Sequence, residues 1–260
     1  MGISPAWDAA DAAVVRAIQT RHNGEPILVG LAGAQGSGKS TMAPRVAQRL
    51  ETAGLRIAIL ALDDFYLTRA ERAELAGTVH PLLATRGVPG THDIAGLTRT
   101  VGRMLAGDGA QVPRFDKATD DRAAVAREIA GPVDVVFLEG WCIGARAQSA
   151  AALAEPVNAL ERHEDPDGRW RQWVNQKLET EYAALFDRLA LRILLRAPNF
   201  GVVLRWRTEQ ERKLLFGGME TPAIKRFIEH YERITRWMLE EEPADLVIDL
   251  DPDRNPTLRA

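Results

Sequence analysis

Ile27-Leu28-Val29-Gly30-Leu31-Ala32 runs straight into Gly33-Ala34-Gln35-Gly36-Ser37-Gly38-Lys39-Ser40-Thr41. The first part has the continuous apolar character of a strand buried on both faces. Met42, Val46 and Leu50 follow at four-residue spacing, the inward stripe of a helix that stops at Gly54, a favourable residue just past a helix end. The join between them fits G-x-x-x-x-G-K-[ST]. Its glycines let the backbone wrap so that successive N–H groups meet a β-phosphate, and the helix start adds the positive end of its dipole. Gly33, Gln35, Gly36, Ser37, Gly38, Lys39, Ser40 and Thr41 are therefore the expected nucleotide-binding residues. Lys39 reaches the β- and γ-phosphates and Ser40 holds Mg²⁺, so ATP and Mg²⁺ are the expected cofactors.

Four further apolar runs lie outward from this unit, at 57–62, 133–138, 189–195 and 246–250, with helix-like periodicity at 94–105, 170–186, 200–215 and 224–239. Short apolar strands separated by long helical crossovers predict an α/β, three-layer fold of the P-loop NTPase type. Its sheet has five strands, mainly parallel, with helices on both faces. Ser4-Pro5 before Trp7, Val14, Val15 and Ile18 reads as an N-capped helix on the outside. One domain over 1–260 is expected, an N-terminal helix in 1–25 and a core in 26–260. The 260 residues carry a net charge of −3 and no basic stripe, so nucleic acid and acidic membranes are not expected partners. No run approaches the ~20 apolar residues of a membrane helix, no signal pattern opens the chain, and the single cysteine, Cys142, suits a reducing compartment. A cytoplasmic protein is expected.

A P-loop serves switches, motors and kinases alike. The guanine-reading Asn-Lys-x-Asp motif is missing, since Gln176 separates Asn175 from Lys177. The second strand ends in Asp63-Asp64-Phe65-Tyr66, and a carboxylate there can orient or deprotonate an acceptor hydroxyl beside the γ-phosphate and touch Mg²⁺. Asp63 is the first choice and Asp64 the second. Glu139 closes the strand 133–138 and offers a rigid hard-oxygen ligand to the metal. Arg205 and Arg207 open a charged helical stretch placed as a lid at 200–217, where arginine can meet the transferring phosphate. The irregular segment 65–122 follows a strand end, where open α/β sheets carry their ligands. A kinase acting on a small hydroxylated metabolite follows.

Leu62-Asp63-Asp64-Phe65-Tyr66-Leu67-Thr68, Arg86-Gly87-Val88-Pro89-Gly90-Thr91-His92-Asp93, Pro113-Arg114-Phe115-Asp116-Lys117-Ala118 and Glu139-Gly140-Trp141 together resemble the D-glycerate 3-kinase group, within the wider set of phosphoribulokinase, uridine kinase and pantothenate kinase. The resemblance covers residues 27–253. It implies that Asp63 is the catalytic base, that Glu139 serves the metal and that Asp93 meets substrate hydroxyls. D-glycerate, a small carboxylate with two hydroxyls, is then the expected acceptor. Tyr66, Arg86, His92, Asp93, Lys117 and Arg122 are its expected contacts, arginine being suited to both oxygens of a carboxylate. Another acceptor (a nucleoside, a pantothenate-like acid or a sugar) and an ATP-dependent binding protein are the competing readings.

Overall fold

The chain opens with α1 (Pro5–Arg21), capped by the Ser4 hydroxyl, which accepts from the Trp7 amide. The apolar run becomes β1 (Ile27–Gly33), and α2 (Lys39–Thr52) and β2 (Ile57–Ala61) complete the first unit. Two helices follow, α3 (Arg69–Thr78) and α4 (Ile94–Leu105), and then four short strands: β3 (Ala110–Val112), β4 (Phe115–Asp116), β5 (Asp121–Arg122) and β6 (Arg127–Ile129). β7 (Val135–Gly140) returns the chain to the main sheet. Helices α5 (Ala159–Glu164), α6 (Arg169–Lys177) and α7 (Ala183–Phe186) lead to β8 (Leu189–Arg196). The chain ends with α8 (Gly201–Arg212), α9 (Thr221–Glu241), β9 (Leu246–Leu250) and β10 (Pro256–Leu258). This computed structural model describes residues 3–212 and 221–259. Of the segment 200–217, expected as a lid, residues 201–212 form α8 and 213–217 lie outside the described residues.

The main sheet has the order β10-β9-β8-β1-β7-β2. The five predicted strands are present and mutually parallel, and a sixth, β10, pairs antiparallel with β9. β10 is three residues long and starts with a proline. Such a strand is tolerated at a sheet edge and carries no apolar run to announce it. Alternate residues of each central strand feed two cores. In β7, Val135 and Phe137 join the layer with α1 and α2, whereas Val136 and Leu138 join the layer with α4 and α6. Burial on both faces is why these strands read as unbroken apolar runs.

β1 lies between β7 and β8, both later in sequence, so the chain passes from one side of β1 to the other between them. Such a switch point opens a crevice at the carboxyl ends of the strands, where β1 delivers the P-loop and β7 delivers Glu139. Beside it, β2 runs into a 3₁₀ turn, Leu62–Phe65, that sets the directions of the two aspartates. No helix among the described residues is long and apolar enough to cross a membrane.

Candidate active site

At this crevice lies a cavity of about 370 Å³, with P-loop residues on one side and Asp63, Tyr66, Arg86 and Lys117 on the other. Gly38 is the N-cap of α2, in left-handed backbone conformation and with no side-chain cap. The Thr41 amide donates to the Gly38 carbonyl at 3.0 Å, and the amides of Lys39 and Ser40 before it face the position a ligand anion would take. Lys39 is buried, and its Nζ donates to the Ala34 carbonyl at 3.1 Å. Burial lowers its pKa, partly offset by the charges of Glu139 and Asp63. Gln35 Oε1 and Ser37 Oγ are buried and lack partners among the described residues. That is the state expected of a loop shaped around a polyphosphate.

Ser40 Oγ donates to Glu139 Oε1 at 2.8 Å, so the two expected metal ligands stand together. The described residues contain no cluster of three or more metal-binding side chains. This pair suits Mg²⁺, which takes one or two protein oxygens and completes its shell with phosphate and water.

Asp63 has both carboxylate oxygens engaged. Tyr66 Oη donates to Oδ1 at 2.7 Å, and Lys117 Nζ donates to Oδ2 at 2.6 Å. Burial alone would raise its pKa, but the Lys117 charge and hydrogen bond and the Tyr66 hydroxyl overcome this and hold it at about 2. Asp64 turns away and accepts from the Phe115 amide at 3.4 Å. Arg86 also lines the cavity. Its guanidinium is paired with Asp120 and lies over the Phe115 ring, 5.4 Å from the centroid.

Three expected acceptor contacts do not reach the cavity wall. His92 is buried beneath Tyr66, with ring centroids 4.7 Å apart, and its Nδ1 lies 2.6 Å from Tyr182 Oη. Burial lowers its pKa to about 4, so it is neutral at pH 7. Asp93 caps α4, accepting from the Gly96 amide at 2.7 Å. Arg122 donates to the Tyr66 carbonyl at 3.1 Å. His92 and Arg122 brace Tyr66 from behind, and Asp93 caps α4 beside Arg122 at 3.9 Å.

The two lid arginines also part company. Arg207 lines the cavity, 5.3 Å from the Phe227 centroid. Arg205 reaches outward to the Pro252 carbonyl and to Asp253 at 3.4 Å, in the turn between β9 and β10.

Trp141, Phe227, Tyr231 and Arg254 also line the cavity, and none of them is among the site residues expected from the sequence. Tyr231 Oη donates to the Arg86 carbonyl at 2.9 Å, and Trp141 Nε1 donates to the Gly87 carbonyl at 2.8 Å. Arg254 Nε donates to the Gly36 carbonyl at 2.7 Å, and its guanidinium lies 5.1 Å from the Trp206 centroid. Trp141 closes the Glu139-Gly140-Trp141 motif and could have been marked there. Phe227 and Tyr231 have the i, i+4 spacing of ordinary packing, and nothing local distinguishes Arg254.

A family profile described as methylmalonyl Co-A mutase-associated GTPase MeaB matches residues 4–66, the stretch from α1 through the P-loop to the tip of β2. Among whole-chain relatives, the uncharacterized kinase mug58 of Schizosaccharomyces pombe is 32% identical over 227 residues, covering 82% of this chain and 81% of that protein. The chloroplastic D-glycerate 3-kinase of Arabidopsis thaliana is 28% identical over 258 residues, covering 90% of this chain and 54% of the plant protein, so the chain spans about half of that relative's length. The solved structure of a D-glycerate 3-kinase from Cryptococcus neoformans var. grubii superimposes with a TM-score of 0.81 at 26% identity, covering 98% of both chains.

Proposed function

Because the chain belongs to the D-glycerate 3-kinase group of ATP-dependent P-loop kinases, we propose that it transfers the γ-phosphoryl group of ATP to D-glycerate, giving 3-phosphoglycerate and ADP. One placement supports this most: Arg86 and Asp63 share a cavity with the P-loop. A guanidinium can hold both oxygens of a carboxylate, so Arg86 binds the acid end of the acceptor while Asp63 meets a hydroxyl. Residues 26–260 act as one kinase core, with the helix in 1–25 packed outside.

Lys39 and the amides of the P-loop hold the β- and γ-phosphates. Ser40 and Glu139 would hold Mg²⁺, which would supply positive charge to neutralise the phosphates. Asp63, expected also to touch Mg²⁺, accepts one hydrogen bond on each oxygen, from Tyr66 and from Lys117, and keeps a further lone pair on each. Its work is to orient the hydroxyl and take the proton as the new P–O bond forms. A carboxylate held at about pKa 2 is a weak base, but transfer through a loose transition state asks chiefly for alignment and charge neutralisation. Arg207 brings positive charge from α8, and Arg205 holds the neighbouring turn.

Coupled ADP release over D-glycerate, L-glycerate, uridine, pantothenate, ribulose 5-phosphate and no acceptor tests the assignment. D-glycerate is expected to raise release well above the acceptor-free rate. Turnover of another acceptor with none of D-glycerate removes the substrate and leaves the kinase. ATP hydrolysis that no acceptor stimulates favours a nucleotide-dependent binding protein.

A further inference from the structure

The two hydrogen bonds to the Asp63 carboxylate are not equally fixed. Tyr66 is buried, stacked on His92 and set edge-on to Phe115 with centroids 5.0 Å apart. Its hydroxyl stays on Oδ1 as long as that packing holds. The Lys117 side chain is 55% exposed and reaches Oδ2 from the turn between β4 and β5. The backbone of that turn is pinned by other groups. Arg69 donates to the Thr119 carbonyl at 2.6 Å, and the Asp120 carboxylate pairs with the buried Arg72 at 2.8 Å. The Ala118 amide donates to Asp116 at 2.9 Å. The ammonium can therefore leave Asp63 by rotation of a long, flexible side chain while the hairpin stays in place.

We infer that Lys117 is a positioning residue that covers Asp63 Oδ2 until the acceptor arrives, and that this cover is what separates the acceptor from water. The inference rests on the proposed role of Asp63. In transfer, the bond between the γ-phosphorus and the bridging oxygen breaks, with its electron pair leaving on ADP. The acceptor oxygen forms the new bond, and its proton passes to Oδ2. Water could enter the same exchange and yield inorganic phosphate if Oδ2 aligned it where the acceptor hydroxyl belongs. A water molecule offers Oδ2 an uncharged donor and no anion for the ammonium, whereas Lys117 holds that oxygen as an ion pair at 2.6 Å. A small hydroxy acid brings its own anion into the cavity that Lys117 and Arg86 share. It gives the ammonium a new partner as its hydroxyl takes the vacated oxygen.

The test compares wild type with Lys117→Met and Lys117→Arg by coupled ADP release at saturating ATP, with and without D-glycerate. Lys117→Met keeps the stem and loses the charge. Its acceptor-free release is expected to rise severalfold, and the ratio of acceptor-dependent to acceptor-free rate to fall by about tenfold or more. Lys117→Arg restores most of that ratio. The melting temperature of Lys117→Met should stay near wild type, because the side chain is half exposed and its backbone is held by others. A raised KM for D-glycerate with an unchanged acceptor-free rate overturns the inference, leaving Lys117 a plain substrate contact. A parallel fall of both rates overturns it too. Should wild type itself ignore D-glycerate, the substrate assignment fails, while the acceptor-free rates of wild type and Lys117→Met still decide whether the lysine shields Asp63.

Discussion

Lys39 sits in a setting where its charge is costly without a phosphate: buried, donating only to a carbonyl of its own loop among the partners described, and with its pKa depressed by that burial. Lys39→Ala is expected to cut acceptor-dependent ADP release by roughly 10²- to 10³-fold, the usual effect of removing one donor from a developing anion. The circular dichroism melt should remain cooperative, and near-normal turnover would remove the lysine from the phosphate. At this scale the sequence is informative for residues adjacent in the chain and weak for those whose direction depends on a turn. The P-loop lies on contiguous residues and is read directly. Asp63 and Asp64 stay unresolved until the 3₁₀ turn at Leu62–Phe65 sends one into the cavity and the other to the Phe115 amide. Arg205 and Arg207 fail as a pair for a simpler reason. Residues two apart on a helix point to different faces, so only one of them can meet a cavity on one side of α8.

Elements with their own periodicity are legible, and elements made by partners are not. The helix predicted at 94–105 is α4 with identical bounds, because Ile94, Leu97, Val101 and Met104 repeat at three and four residues and bury one face. α3 went unread, although Thr68 and Glu71 form a full capping box, an N-terminal signature that a scan for S/T-x-x-E finds. β3 to β6 are two or three residues each and exist through antiparallel pairing alone. The loop preceding α4 is held to α9 by a contact that no local pattern shows. Gly87 has φ +121°, and a Cβ there would overlap the Tyr231 hydroxyl. The same hydroxyl donates to the Arg86 carbonyl. Gly87→Ala therefore strains the backbone and displaces the acceptor arginine together. It is expected to raise the KM for the acceptor by about tenfold or more while leaving the KM for ATP within about threefold. Steady-state kinetics with each substrate varied in turn separates the two, and equal changes in both would break the link between this loop and the acceptor.

Across the whole molecule the five parallel strands are visible in sequence as apolar runs, whereas their order is not, because pairing of β1 with β7 and β8 joins segments a hundred or more residues apart. Burial sets how the fold responds to acid. His92 and His230 both have pKa values near 4, lowered from 6.5 chiefly by burial. His92 lies under the acceptor wall, and His230 lies on α9 against Trp170. Between pH 6.5 and about 4 the unfolded chain binds protons at these sites that the folded chain refuses, so stability falls as pH falls. Each histidine contributes about 1.4 kcal/mol per pH unit across that window, the loss beginning near pH 6.5 and ending near pH 4. Asp63, depressed from 3.8 to about 2, adds a loss of the same sign only below its unfolded value. Urea midpoints measured from pH 7.5 to 4.5 should therefore stay level down to about 6.5 and then decline. His230→Gln removes one of the two contributions at a position away from the cavity. It should lower the midpoint at pH 7 through lost packing, yet flatten the decline below pH 6.5 to about half its wild-type slope. An unchanged slope in that variant would mean that protons entering elsewhere, not at the buried imidazole on α9, drive the acid transition.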